Sequence, residues 1–149
     1  MPISEVCNRE VVIVQPNDSV LDAAELMRQH HVGDVVVVED RGGRRVPIGI
    51  VTDRDLVVEI MAAKLEPADI KVSDIMLSDL LTVKQDAGLF EAIEGMHAKG
   101  VRRLPVVDNS GGLIGILTLD DLIELLADEM TSLAKLVKRE QKKEATTRR

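Results

Sequence analysis

Two short stretches set a hydroxyl and a carboxylate where an apolar run turns into a helix. GIVTDRDL (49–56) places Thr52 three residues before Asp55, and GILTLDDL (115–122) places Thr118 three residues before Asp121. At that spacing the pair forms a capping box, with Asp in place of the usual Glu or Gln, and satisfies free backbone N–H groups. The same corner also sets helix N-terminal donors beside a carboxylate, which suits a ligand carrying both an anion and hydroxyls. A nucleotide is such a ligand, with phosphate for the donors and a ribose diol for the aspartate. Gly49 and Gly115 sit three residues before each threonine, on the strand that delivers it. A strand glycine there suggests that something approaches the backbone closely, which favours the binding reading over capping alone.

Other chemistry is poorly supplied. His30, His31 and His97 form no ligand pair of the H-E-x-x-H kind and read as solvated surface. Asp53, Asp55, Asp120 and Asp121 could take a hard cation such as magnesium, most readily together with nucleotide phosphates. No P-loop, G-x-G-x-x-G or G-x-S-x-G occurs, and no nucleophile stands near a base, so the sequence reads as non-enzymatic. Cys7 is the only cysteine, which excludes a disulfide framework.

The elements that position these corners come as a repeat. Shifting the chain by 69 positions lays 3–14 on 72–83, 19–32 on 88–101 and 35–38 on 104–107, with eight identities across residues 3–38. After the second strand the offset falls to 66, because the Gly-Gly hairpin at 39–49 is three residues longer than that at 108–115. Each unit reads strand, helix, strand, strand, helix. The strands fall at Val11 to Val14, Val35 to Val38 and Ile48 to Val51, then Leu81 to Val83, Leu104 to Val107 and Leu113 to Leu117. The first helices are Val20 to His30 and Leu89 to Lys99; the second begin near Asp53 and Leu119. Leu21, Ala24 and Met27, and likewise Phe90, Ile93 and Met96, are expected to form the core-facing stripes. Gly100 ends its helix as a left-handed cap. The expected architecture is α/β (α+β), with residues 1–68 and 69–130 as the repeats and 131–149 as a helical extension with a basic tail.

The last helix carries apolar residues at Leu122, Leu125, Leu126, Met130, Leu133, Leu136 and Val137, continuing beyond the second repeat. A stripe that outruns its domain is expected to pack on a second subunit. Composition excludes further classes. Phe90 is the only aromatic residue and the net charge is -7, which together oppose base stacking and phosphate-backbone binding. From Lys135 to Arg149 seven basic residues face two acidic ones, a local +5. No apolar run approaches the roughly twenty residues that span a bilayer, and a cytoplasmic location is expected.

The tandem units resemble a pair of CBS domains, or Bateman module, from about residue 3 to about residue 130. VRRLPVVDNSGGLIGILTLDDL in the second unit carries the fuller likeness, and VGDVVVVEDRGGRRVPIGIVTDRDL in the first a looser one; TDRDLVVEIMAAKLEP is similar to stand-alone bacterial two-CBS proteins. The resemblance implies a sensor whose units pack by their small sheets about a pseudo-twofold axis. Adenosine compounds (AMP, ADP, ATP or S-adenosylmethionine) would occupy the clefts as regulatory ligands, with no required cofactor. It places ribose-binding acids at Asp55 and Asp121, their companion hydroxyls at Thr52 and Thr118, and phosphate-facing bases at Arg102 and Arg103. Adenine would lie against Val12, Ile13, Leu81, Thr82, Val35, Leu104 and Pro105. It further implies a homodimer acting on a separate protein. The first unit departs from the pattern, with Gly33 and Asp34 where the second has Arg102 and Arg103. An anion beside Asp34 would be repelled unless Arg44, Arg45 or Arg54 swung in, so two unequal clefts are expected. The alternative is a structural dimerisation module whose clefts stay empty.

Overall fold

A computed structural model describes residues 1–147; the last two residues of the basic tail, Arg148 and Arg149, lie outside the described residues. The chain divides into two compact units, Met1–Leu117 and Thr118–Arg149. The first contains β1 (Ile13–Val14), α1 (Val20–His30), β2 (Asp34–Arg41), β3 (Arg44–Thr52), α2 (Asp53–Asp55), α3 (Val72–Ile75), β4 (Val83–Lys84), α4 (Leu89–Lys99), β5 (Arg103–Val107) and most of β6 (Leu113–Thr118). The second is a single long helix, α5 (Leu119–Thr147). The strands form two three-stranded sheets ordered β1-β2-β3 and β4-β5-β6. In each, the first strand pairs parallel with the second, Ile13 with Val36 and Val83 with Val106.

The run Val35–Val38 is buried throughout, because both faces of its sheet are covered. Alternation splits it: Val35 and Val37 pack with Val20, Ala23 and Met27 of α1, whereas Val36 and Val38 join Ile50 and Ile116, the last from the other sheet. The two sheets therefore meet face to face.

The segments preceding each repeat cross over. Ile3 and Ser4 donate backbone hydrogen bonds to Ala87 and Gln85, and Val72 and Ser73 donate to Asp18 and Pro16 at the equivalent places. Further along, Asn8 exchanges bonds of 2.9 and 2.8 Å with Ile116, and the Leu77 N–H reaches the Ile50 carbonyl at 3.3 Å. Each repeat is thus laced to the body of the other, which gives the pseudo-twofold arrangement its covalent logic.

The helix boundaries at 20–30 and 89–99 are those expected; of the expected stripes Met27 and Met96 are buried, but Leu21 and Phe90 are not. The buried residues of α1 are Val20, Ala23 and Met27, and those of α4 are Ala92 and Met96; Leu21 is exposed and Phe90 is 80% exposed. Positions i, i+3 and i+7 stay within one narrow arc of a 3.6-residue helix, whereas i, i+3 and i+6 drift round it. Gly100 takes the left-handed cap (φ 65°, ψ 37°), and His31, at the equivalent place, takes it too (φ 54°, ψ 44°). After α2 the backbone continues as a π-helix, Leu56–Met61.

Candidate functional site

Both threonine corners form at strand ends. Asp34 pairs with Thr52 across β2 and β3, so the ladder ends where α2 begins. The Thr52 side chain accepts from the Asp55 N–H at 3.2 Å, and the Asp55 carboxylate accepts from the Thr52 N–H at 2.9 Å. This is a complete capping box, and it commits one Asp55 oxygen to the backbone. In the second unit the Thr118 hydroxyl accepts from the Asp121 N–H at 3.1 Å.

The strand glycines have an internal explanation. A Cβ on Gly49 would lie 2.5 Å from the Met76 sulfur, and one on Gly115 would lie 2.7 Å from the Cys7 sulfur and 2.8 Å from the Asn8 carbonyl oxygen. Cys7 and Met76 are equivalent residues of the crossing segments, so the close approach inferred from these glycines is made by the chain itself and not by a ligand.

A cleft of about 190 Å³ opens between the repeats. Thr52 and Ile50 of the first repeat line it with Leu77, Leu80, Leu81, Val101, Arg102 and Arg103 of the second. Its walls are mainly aliphatic, suiting the face of a flat apolar ring, with a hydroxyl and two guanidinium groups to orient polar substituents. Of the expected site residues, Thr52, Leu81, Arg102 and Arg103 converge here. Asp55 is part-buried and is held by the capping box. Val35, Leu104 and Pro105 are fully buried in the core, and Val12 and Ile13 pack against its two clusters. Thr82 borders a separate hollow beside Lys84 and Asp86.

The electrostatics of the cleft centre on a pair that joins the repeats. Arg103 Nε lies 2.7 Å from Asp34 Oδ2, with both side chains largely covered. Burial pushes the Asp34 carboxyl above its usual range; Arg103 pulls it back and Asp53 pushes it further up. Asp53 is close by, since a Cβ on Gly33 would lie 3.2 Å from its Oδ2 and 3.5 Å from Arg103 Nη2. Asp79, also on the cleft, pairs with Lys99 at 3.1 Å. The counter-charge to Asp34 is therefore Arg103, a residue of the other repeat that the family resemblance assigns to phosphate. The signal was present in the repeat: Asp34 and Arg103 occupy equivalent positions, which a twofold axis brings together with opposite charge. Ile50, Leu77, Leu80 and Asp79 were not anticipated, because the sequence does not show which crossing residues border an opening.

Comparisons with known proteins bear on the fold and the family. A CBS domain model matches residues 3–62 and 72–128. An uncharacterised protein of Methanopyrus kandleri is 38% identical over 123 residues, covering 83% of this chain; the chain spans 61% of that relative's length. The CBS domain-containing protein YhcV of Bacillus subtilis is 34% identical, with 80% and 81% of the two chains covered. Among solved structures, a conserved protein of Pyrococcus horikoshii superposes with a TM-score of 0.72 at 31% identity, covering 83% of this chain and 90% of its own. The CBS domain pair of protein MJ0100, solved with 5'-methylthioadenosine and S-adenosylmethionine, shares the fold at 20% identity with a TM-score of 0.75, covering 87% and 98%. Two CBS repeats, laced together by exchanged segments, account for most of the sequence, and the chain belongs to the CBS domain family.

Proposed function

We propose that the protein is a non-catalytic sensor that binds an adenosine-containing ligand between its repeats and passes the resulting change of arrangement to another protein. The observation that carries this reading is the cleft where Thr52 and the aliphatic walls of one opening meet Arg102 and Arg103. The base would lie against Leu81, Leu80 and Ile50, and a phosphate would face the two arginines. Thr118 and Asp121 are the corresponding ribose-binding candidates of the second repeat. A ligand shifts such a module only by binding two arrangements unequally.

The Asp34–Arg103 pair ranks the ligands. A phosphate must compete with Asp34 for Arg103, and Asp53 adds negative potential beside that pair, so an uncharged or zwitterionic adenosine compound is favoured over a polyphosphate. Magnesium enters only as the companion of a di- or triphosphate; the described residues gather no group of three or more His, Cys, Asp or Glu side chains. No described helix is long and apolar enough to cross a membrane. The functional form is a homodimer.

The completed capping box at Thr52 and Asp55 favours a second reading, a dimerisation module that takes no nucleotide. Calorimetric titration with adenosine, 5'-methylthioadenosine, AMP, ATP and S-adenosylmethionine separates the two. A dissociation constant below about 1 mM, equivalent to roughly -4 kcal/mol, is expected for at least one. Absence of binding by all five would leave the dimerisation module.

A further inference from the structure

We propose that a second copy of this chain covers the apolar stripe of α5 and that the two α5 helices lie antiparallel, an arrangement that rests on the homodimer reading above. Ile123, Leu126, Met130, Leu133 and Val137 follow one another at spacings of three and four, and each is between 47% and 68% exposed. A 3.5-residue repeat of this kind is the seam of a two-stranded coiled coil. Five large apolar side chains in one exposed line are an unfinished contact.

Charge identifies both the occupant and its direction. Residues 121–129 carry Asp121, Glu124, Asp128 and Glu129 with no cation, a net of -4. Residues 130–134 are uncharged, and 135–143 carry Lys135, Lys138, Arg139, Lys142 and Lys143 against Glu140, a net of +4. Acids early and bases late also suit the dipole of a single helix, but the dipole accounts for neither the apolar seam nor its centring on the uncharged segment. Two parallel copies would set acid against acid and base against base. Two antiparallel copies set the acidic end of each beside the basic end of the other across an axis near residue 130. Helices in contact lie about 8–10 Å apart axis to axis, and their flanking side chains approach each other more closely than the screening length of roughly 8 Å in physiological salt, so this complementarity is felt.

The test uses the full chain with Cys7→Ala and a nitroxide on Ala145→Cys, an exposed, uncharged site beyond the seam. At 1.5 Å of rise per residue, an antiparallel pair separates the two labels by roughly 40–50 Å, and a parallel in-register pair by less than about 20 Å. Pulsed dipolar spectroscopy is expected to give the long distance. Sedimentation is expected to show a dimer that weakens about tenfold or more when Lys138, Arg139, Lys142 and Lys143 are all changed to Glu, with helicity by circular dichroism retained. A dimer with the short distance, or one indifferent to the charge reversal, overturns the antiparallel seam and leaves the homodimer standing. A monomer at about 100 μM overturns both, while ligand binding tested by calorimetry is a separate matter.

Discussion

Asp34→Asn should raise affinity for a phosphorylated ligand while leaving that for the bare nucleoside unchanged. In the wild type the Arg103 guanidinium is held 2.7 Å from the Asp34 carboxylate, so a phosphate gains little by approaching it. Removing the carboxylate charge frees Arg103 to make one charge-assisted hydrogen bond, worth about 1.5–3 kcal/mol, or roughly tenfold to a hundredfold in dissociation constant. The pair is neither fully exposed nor fully buried, and the substitution also relieves the cost of burying Asp34. Its effect on stability should therefore stay within about 1–2 kcal/mol, between the surface and buried limits for ion pairs. Calorimetry with AMP and adenosine, on wild type and variant in one buffer, reads the ratio of the two affinities. The ratio should move toward AMP by at least about tenfold, and adding Arg103→Ala should abolish the gain. An unchanged ratio would refute the view that Asp34 and phosphate compete for Arg103.

His31 holds a left-handed conformation that its counterpart Gly100 adopts without strain, so His31→Gly should stabilise the fold. Relief of about 1–2 kcal/mol against a glycine entropy cost of about 0.5–1 leaves a gain near 0.5–1 kcal/mol, measurable by urea denaturation followed by circular dichroism. Gly115→Ala should destabilise by more than about 2 kcal/mol, because its Cβ meets the Asn8 backbone; Gly49→Ala meets the Met76 side chain from its sulfur down to its Cβ at 3.1 Å and should also destabilise, with partial recovery on adding Met76→Ala. Asp34 binds its proton more tightly folded than unfolded, so its contribution to stability is complete below the ordinary value of 3.8 and is lost as pH rises through the elevated folded value. Denaturation midpoints of the wild type relative to Asp34→Asn should accordingly fall as pH rises from about 4, and a difference independent of pH would contradict the burial of this carboxyl.

Most of the architecture was legible because the chain states it twice. The repeat fixed the order of strands and helices, and the left-handed stop at Gly100 was readable from its type alone. The stripes on α1 and α4 were placed correctly at Met27 and Met96 but one residue late in the preceding turns, because a helix such as VLDAAELMRQH offers two neighbouring faces with similar spacing and only packing chooses between them. The glycines show a sharper limit. Local chemistry announced that something crosses close to Gly49 and Gly115, but the crossing chain comes from the other repeat, and the sequence does not say whether a ligand or a neighbour arrives there. Asp34 carried the same lesson with the opposite outcome. Its partner lay at the equivalent position of the second repeat, and a twofold arrangement applied residue by residue would have paired it with Arg103.

The central claim is that the cleft lined by Thr52, Leu81, Arg102 and Arg103 is a ligand site and not a seam left by packing. An amide-resolved NMR titration of the full chain with 5'-methylthioadenosine and AMP tests it most directly. The account predicts saturable shifts confined at first to Ile50, Thr52, Leu77–Leu81 and Gly100–Arg103. A spectrum unmoved by both compounds at millimolar concentration, or shifts that begin elsewhere and leave these residues untouched, would contradict it.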